Sequence, residues 1–133
     1  MFLFLFSLCF IVTCSLAFYC YNFSPTNSKF EYTLSYCIVS RTVNLDYKYI
    51  ICKFNKGSCN HLFFEYLFQH KGRDISKTEL IRHFGEDFMR DRSYSHFLST
   101  NFYKDVRAAF FFISGDSIRV NTDVALDKQL KLF

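Results

Sequence analysis

The residue pairs that could perform chemistry in this chain are few and incomplete. His61 and Glu65 are four residues apart, a spacing that puts both side chains on one face of a helix and can hold a metal ion. A zinc site uses three or four ligands, and no third ligand accompanies this pair. We therefore expect a surface pair here and no metal site.

The acidic residues near the middle of the chain offer no better catalytic group. Glu86 with Asp87, and Asp91 with His96, have the side-chain types of an acid–base pair. They lie in or beside a charged, turn-like stretch, and neither a nucleophile motif nor a phosphate-binding glycine loop accompanies them. The sequence predicts no enzyme activity and no cofactor.

Basic and polar side chains toward the C-terminus suit contacts with nucleic acid instead. Lys104 and Arg107 are about one helical turn apart and could reach phosphates or the edge of a guanine. The candidate contacts to double-stranded DNA are His96, Thr100, Tyr103, Lys104, Arg107, Arg119, Arg90 and Arg92. Residues 58–133 carry 11 basic and 10 acidic side chains, which predicts weak binding unless the charges are segregated by face. The alternative interpretation is a merely solvated face.

The composition limits the class of protein that positions these residues. Of 133 residues, 50% are apolar and 21% are charged, with one Pro and four Gly. Such a chain is neither disordered nor collagen-like, and its length suits one small domain with an appendage. The net charge of +4 selects no partner by itself.

The appendage is an uncharged apolar run at the N-terminus. Residues 2–21 (FLFLFSLCFIVTCSLAFYCY) would form a helix about 30 Å long, which matches the hydrocarbon core of a bilayer. Three interpretations remain open: a membrane span, a signal peptide cleaved after Ala17, and filler translated from an over-extended start. A signal peptide normally has basic residues before its apolar run, and none precedes this one.

The basic residues that flank the run favour a cytoplasmic location for the rest of the chain. Lys29 and Arg41 follow the run, whereas no basic residue precedes it. Because basic loops stay on the cytoplasmic side, we expect a single N-terminal span with the C-terminal domain in the cytoplasm. A cleaved signal would leave the domain outside the cytoplasm, and an over-extended start would make the protein wholly cytoplasmic.

The cysteine pattern favours reduced thiols. Three cysteines lie in the apolar run and three follow it, without a C-x-x-C spacing: Cys9, Cys14, Cys20, Cys37, Cys52 and Cys59. Residues 60–133 contain none, which is hard to reconcile with a disulfide-stapled secreted fold. Cleavage after Ala17 would leave four cysteines and revive a disulfide framework, with Asn22 as a glycosylation acceptor.

Two stretches alternate between apolar and polar residues, as half-buried strands do. Residues 24–28 (SPTNS) read as the boundary of the apolar run, after which residues 30–39 alternate with a period of two. Residues 43–51 alternate in the same way. Residues 40–42 would link the two strands as a hairpin.

Two helices are predicted next, each from a cap. Ser58 can cap a helix over residues 59–70 that is apolar on most sides and ends near Gly72. Ser76 and Glu79 have the spacing of a capping box, in which each side chain satisfies a backbone N–H. Gly85 would end this second, short helix.

A third helix is predicted over about residues 93–110, followed by a hairpin. Its polar face would carry five of the DNA candidates: His96, Thr100, Tyr103, Lys104 and Arg107. Residues 99–101 (STN) could break this helix, with Asn101 as the cap of a shorter second piece. Residues 111–113 and 118–120 would pair around 114–117 (SGDS), and the tail at 124–133 would add an amphipathic turn or two.

This order of strands, apolar helix, short capped helix, longer helix and hairpin resembles a winged helix-turn-helix domain of the response-regulator type. The resemblance covers about residues 43–120, and its most family-like segment is 62–80 (LFFEYLFQHKGRDISKTEL). It implies that the third helix enters the major groove of DNA and that the hairpin at 114–117, with Arg119 beside it, touches the adjacent backbone. The glycine–tyrosine pair that ends the wing strands of that family is missing here.

The sequence as a whole predicts an α+β fold: an N-terminal apolar helix, short antiparallel strands and a three-helix, winged-helix-like unit that ends in a β-hairpin. The expected divisions are a span or signal at 1–21, a connecting strand and linker at 22–42 and the winged-helix-like domain at 43–133. The expected function is that of a DNA-binding transcriptional regulator tethered to the membrane through residues 2–21, with a homodimer left open. The alternatives are a membrane-anchored α+β domain that makes protein–protein contacts and a truncated reading frame without a selected function.

Overall fold

Helices and short strands share the part of the chain that the computed structural model describes, which is residues 1–23 and 29–132. The helices are α1 (Phe2–Phe23), α2 (Cys59–Gln69), α3 (Lys77–Phe84), α4 (Tyr94–Asn101) and α5 (Lys104–Phe110). The strands are β1 (Phe30–Cys37), β2 (Thr42–Leu45), β3 (Tyr49–Lys53), β4 (Ile75–Ser76), β5 (Phe111–Ser114), β6 (Ser117–Val120) and β7 (Asp123–Leu126). The predicted α+β fold is confirmed. The predicted boundary at 24–28, the side chain of Asn22 and the last tail residue lie outside the described residues.

The apolar run forms one continuous helix. The 22 residues of α1 rise about 33 Å, and the side chains from Phe2 to Tyr19 are exposed. This helix is long and apolar enough to cross a membrane, although a signal sequence near an N-terminus meets the same criterion.

β1 is central to a four-stranded antiparallel sheet with the order β3-β2-β1-β7. The predicted β1–β2 hairpin is confirmed, with Leu34 opposite Leu45 and Cys37 opposite Thr42. Leu34 is buried in the core. β1, which the sequence analysis placed in the connecting segment 22–42, therefore belongs to the same folded unit as the residues that follow.

The single strand predicted over residues 43–51 is wrong, because the chain reverses in its middle. Asp46 and Tyr47 have φ angles of 54° and 57°, and the Lys48 N–H donates to the Leu45 carbonyl at 3.1 Å. β2 ends at the turn and β3 returns beside it. A three-residue turn between two short strands keeps the alternation in phase, so the period of two could not reveal it.

The tail also differs from its prediction. The expected amphipathic turn at 124–133 is wrong at its start, since Asp123–Leu126 forms β7 and pairs with β1. Phe30 lies opposite Leu126, across most of the chain. Such a non-local pairing gives no short-range sequence signal.

The two capped helices, α2 and α3, are confirmed, with one change. The Ser58 and Ser76 hydroxyl oxygens accept the N–H groups of His61 and Glu79, each at 3.1 Å. The Glu79 carboxylate does not return to the cap, however, because it binds the Arg73 guanidinium through two bonds of 2.8 and 3.2 Å. The reciprocal half of the predicted capping box is therefore wrong.

The helix predicted over about residues 93–110 is interrupted, and the break offered at residues 99–101 is the version that the structure has. An extended link at Phe102 and Tyr103 separates α4 from α5. Three side chains near the end of α4 compete with the backbone for the carbonyl groups of His96 and Phe97, which favours the end of the helix at Asn101. The Thr100 hydroxyl donates to the His96 carbonyl at 2.8 Å, and the Asn101 amide donates to the Phe97 carbonyl at 2.7 Å. The Ser99 hydroxyl bonds the same His96 carbonyl. Asn101 thus ends α4 instead of capping α5.

The predicted terminal hairpin is confirmed and gains a strand. β5 and β6 pair around Gly115 and Asp116, and β4 adds to them in the order β4-β6-β5. α2 contacts strands of both sheets, and its Phe63 ring stacks on Phe97 of α4 at 4.1 Å. An aromatic core thereby fixes the helices against the two sheets.

Candidate nucleic-acid interface

The turn between β5 and β6 is held against the N-terminal ends of α3 and α4. The backbone carbonyl of Asp116 accepts the Tyr94 hydroxyl at 2.6 Å and the Lys77 N–H at 2.9 Å. Burial, helped by the charge of Asp116, raises the pKa of Tyr94 to about 12, so its hydroxyl remains a donor at neutral pH. The hairpin tip and the start of both helices therefore converge on one carbonyl group.

The outer side of α4 is polar and open to solvent. We call this surface the α4 face, formed by Ser95, His96, Ser99 and Thr100, all of which are exposed. The opposite side of the helix is buried through Tyr94, Phe97 and Leu98. The Ser95 and His96 side chains can donate and accept hydrogen bonds, whereas the Ser99 and Thr100 hydroxyls, which donate to the His96 carbonyl, can still accept them from the edges of bases.

The basic candidates on α5 remain accessible beside the C-terminal tail. The Lys104 side chain is exposed, the Tyr103 side chain is 56% exposed and Arg107 is half-buried. The tail borders the other flank of α5, where Asp105 and Ala108 line a groove of about 410 Å³. The tail therefore leaves Lys104 free for a partner.

The extended link at residues 102–103 divides the predicted DNA-contacting residues between two elements. His96 and Thr100 lie on α4, whereas Tyr103, Lys104 and Arg107 lie at or beyond the start of α5. No single helical face carries all five. Any joint surface must instead run from the α4 face across the link to the first turn of α5.

Two of the remaining arginine candidates have partners within the protein. Arg90 forms a 2.7 Å ion pair with Asp87. An Arg92 N–H donates to the Phe88 carbonyl at 2.9 Å. These contacts use part of the hydrogen-bonding capacity that a phosphate would need.

Arg119, beside the hairpin turn, is also engaged. Its guanidinium lies 3.7 Å from the Asp74 carboxylate and 5.5 Å from the centre of the Phe112 ring. Its Nε atom is buried, with no hydrogen-bond partner among the residues that the structure describes. Arg119 therefore joins β6 to neighbouring elements as well as facing outward in part.

One basic residue at this surface was missed by the sequence analysis. Lys77 begins α3 and lines a groove of about 270 Å³ together with Arg92, the start of α4 and the hairpin turn. The serine cap before it predicted the helix but not its neighbours. The pairing of β4 with β6, which brings Lys77 to the turn, is a tertiary contact without a local signal.

The His61–Glu65 pair is confirmed as an intramolecular contact. Nε2 of His61 lies 2.6 Å from the Glu65 carboxylate, and Nδ1 accepts the Gly57 N–H at 3.0 Å. Both ring nitrogens are thereby occupied, which leaves no lone pair free for a metal. Within the described residues, no group of three potential metal ligands occurs.

The cysteines whose side chains are described are free thiols: Cys9, Cys14, Cys37, Cys52 and Cys59. The side chain of Cys20 lies outside the described residues. Burial raises the pKa of Cys52 to about 11, which makes its thiol a poor nucleophile. Hydrogen bonds from Ser40 lower the pKa of Cys37.

Comparisons with models of known families, with the sequences of curated proteins and with solved structures found no match to this chain.

Proposed function

We propose that this chain binds double-stranded DNA through the α4 face and the β5–β6 turn, and that α1 tethers it to a membrane. The carrying observation is the shared carbonyl of Asp116, which fixes the turn beside the starts of α3 and α4. A helix–turn–helix with a hairpin needs this convergence, because one element enters the major groove while the other meets the adjacent backbone. A regulatory role fits this mode of binding.

The charges around this surface support phosphate contacts at a few positions. Lys77 and Lys104 are exposed, and neither forms an ion pair within the described residues. Arg107 is half-buried about one turn beyond Lys104 on α5 and can add a third contact. Three phosphate contacts are a modest number, so we expect affinity that is lost at high salt.

Fluorescence anisotropy of a labelled duplex tests the proposal with the full chain in nanodiscs of zwitterionic lipid. We expect binding at low ionic strength and a several-fold loss in the Lys104→Glu/Arg107→Glu variant. Lys48→Glu/Lys71→Glu is the matched control, since it makes the same charge change at two exposed lysines outside the α4 face, the β5–β6 turn and α5, and should bind more tightly than that variant. Equal losses in both variants would contradict a localised DNA surface.

A second function, protein–protein contact by the same surface, is favoured by different observations. Arg90, Arg92 and Arg119 already have partners, and Phe112 and Ile113 of β5 are 40% and 44% exposed. Exposed apolar side chains suit a protein interface more than a DNA backbone. A partner retained at high salt, together with no affinity for duplex, would favour this function.

The membrane tether is proposed as a single span with the domain in the cytoplasm. Its support is the length and apolar character of α1 and the basic residues that follow it. Intact-mass measurement of the membrane fraction after carbonate extraction tests it. We expect an uncleaved chain that resists carbonate extraction. The mass of a chain that begins after Ala17 would instead identify a signal peptide.

A further inference from the structure

The turn between β2 and β3 presents large side chains to solvent. We define the β2–β3 turn surface as Tyr47, Lys48, Tyr49 and Ile50. Tyr47 is 79% exposed, Ile50 is 69% exposed and Tyr49 is 47% exposed. The Lys48 ammonium lies 5.2 Å from the centre of the Tyr49 ring. Several large apolar side chains exposed at one turn are typical of an interaction site.

Hydrogen bonds fix this turn near the start of β1. The Asp46 N–H donates to the Thr33 carbonyl at 2.7 Å, and the Thr33 N–H donates to the Asp46 carboxylate at 2.8 Å. Thr33 is three residues beyond Phe30, the first residue of β1, which is about 10 Å along a strand. The turn therefore lies at the end of the sheet where the chain enters from α1.

The chain itself keeps this end of the sheet close to α1. Phe23 ends the helix and Phe30 begins β1, so seven residue steps separate them. Seven steps can span at most about 25 Å. When α1 crosses a bilayer, the start of β1 thus lies within about 25 Å of the end of α1, a distance that lets the turn reach the lipid headgroups.

The chemistry of the turn suits the boundary between headgroups and acyl chains. Tyrosine is enriched at this boundary because its ring is apolar and its hydroxyl is polar, and lysine places its stem in lipid and its charge in water. The positive charges of Lys29 and Lys48 are balanced by the negative charges of Glu31 and Asp46, which are close to them in the sequence. The attraction is therefore apolar and interfacial and does not depend on anionic lipid.

We propose that the β2–β3 turn surface inserts into the headgroup region of the same bilayer that α1 crosses. This inference rests on the proposed membrane span. Insertion gives the domain a second attachment point and so limits its rotation about the short connection to α1. Val39 lies in the turn at the opposite end of β1 and then faces away from the membrane. Its side chain is 88% exposed, so it is comparable with Tyr47 in exposure but not in position.

The chain contains no tryptophan, so single-tryptophan variants report position directly. The full chain is reconstituted in phosphatidylcholine vesicles with and without lipids brominated near the headgroup. Tyr47→Trp and, as a second reporter, Ile50→Trp should show an emission maximum at shorter wavelength and a loss of intensity with brominated lipid. Val39→Trp is the matched control and should show neither change but should be quenched by aqueous iodide.

A fourth variant separates the two proposals. Phe10→Trp lies in the middle of α1 and should be quenched by lipid brominated deep in the acyl chains. If Phe10→Trp is quenched while Tyr47→Trp and Ile50→Trp behave like Val39→Trp, the span stands and the insertion of the turn is refuted. If Phe10→Trp is not quenched, both the span and the inference drawn from it are overturned.

Discussion

The Tyr94 hydroxyl is the side-chain group on which the proposed interface depends most. It bonds the Asp116 carbonyl at 2.6 Å and so connects α4 with the hairpin turn. The Lys77 N–H bonds the same carbonyl, and this backbone contact remains when the hydroxyl is removed. The tyrosine therefore adds to an existing attachment.

Tyr94→Phe should lower the free energy of unfolding by about 1 kcal/mol, the usual value of one partly buried hydrogen bond. Urea denaturation of the full chain in detergent micelles measures the loss. Tyr103→Phe is the control, because that side chain is 56% exposed and should change stability by less than about 0.5 kcal/mol. Equal effects of the two changes would show that the contact with Asp116 contributes nothing.

Glu79 gives the structure a pH dependence in acid. The hydrogen bonds from Arg73 lower the pKa of Glu79 below its ordinary value of 4.5. A carboxyl whose pKa is lowered by folding stabilises the fold above the ordinary pKa and loses this effect as the pH falls through the lowered value. The contribution is below about 1 kcal/mol, because the pair is near the surface.

Glu79→Gln should therefore reduce stability at pH 6 and make the decline below pH 4.5 shallower than in the wild type. Thermal denaturation at a series of pH values from 6 to below 4.5 measures the stability and its decline in both proteins. Glu86→Gln removes an exposed carboxylate as a control and should leave the slope unchanged. A slope equal to that of the wild type in Glu79→Gln would contradict the assignment.

At the scale of elements, α2 is the support against which the other helices pack. Its Phe63 is fully buried between Phe64 and the ring of Phe97, which lies 4.1 Å away. Because Phe97 is on the inner side of α4, the position of the α4 face depends on this stack.

Phe63→Ala should destabilise the chain by about 3–5 kcal/mol, since it removes a buried ring and leaves a cavity. Leu62→Ala is the matched control on the neighbouring position of α2, where the side chain is 38% exposed, and should cost much less. Denaturant midpoints measure both. Similar midpoints for the two variants would place the core elsewhere.

The elements with local signals could be predicted from the sequence. Ser58 and Ser76 identified the starts of α2 and α3, and Gly85, with its φ of 99°, identified the end of α3. Residues 99–101 indicated a possible break of the third helix, but not that α5 would begin without a side-chain cap, because the burial of Phe102 decides where the backbone extends.

At the scale of the whole molecule, the pairings that close the fold are long-range. β7 pairs with β1, and β4 pairs with β6. Neither pairing could be predicted, since each depends on strands that only a folded core brings together. The candidate site could be predicted only in part for the same reason. His96 and Lys104 were found by type and spacing, whereas Lys77 reaches the interface only through the pairing of β4.

The salt dependence of duplex binding by the full chain in zwitterionic nanodiscs tests the central claim most directly. Three phosphate contacts, at Lys77, Lys104 and Arg107, predict a slope of about −2.7 for log K against log salt, or about a 40-fold loss of affinity between 50 and 200 mM salt. Lys77→Glu should make the slope shallower by about 0.9. Absence of duplex binding at 50 mM salt, or affinity that does not change with salt, would contradict DNA binding by this surface.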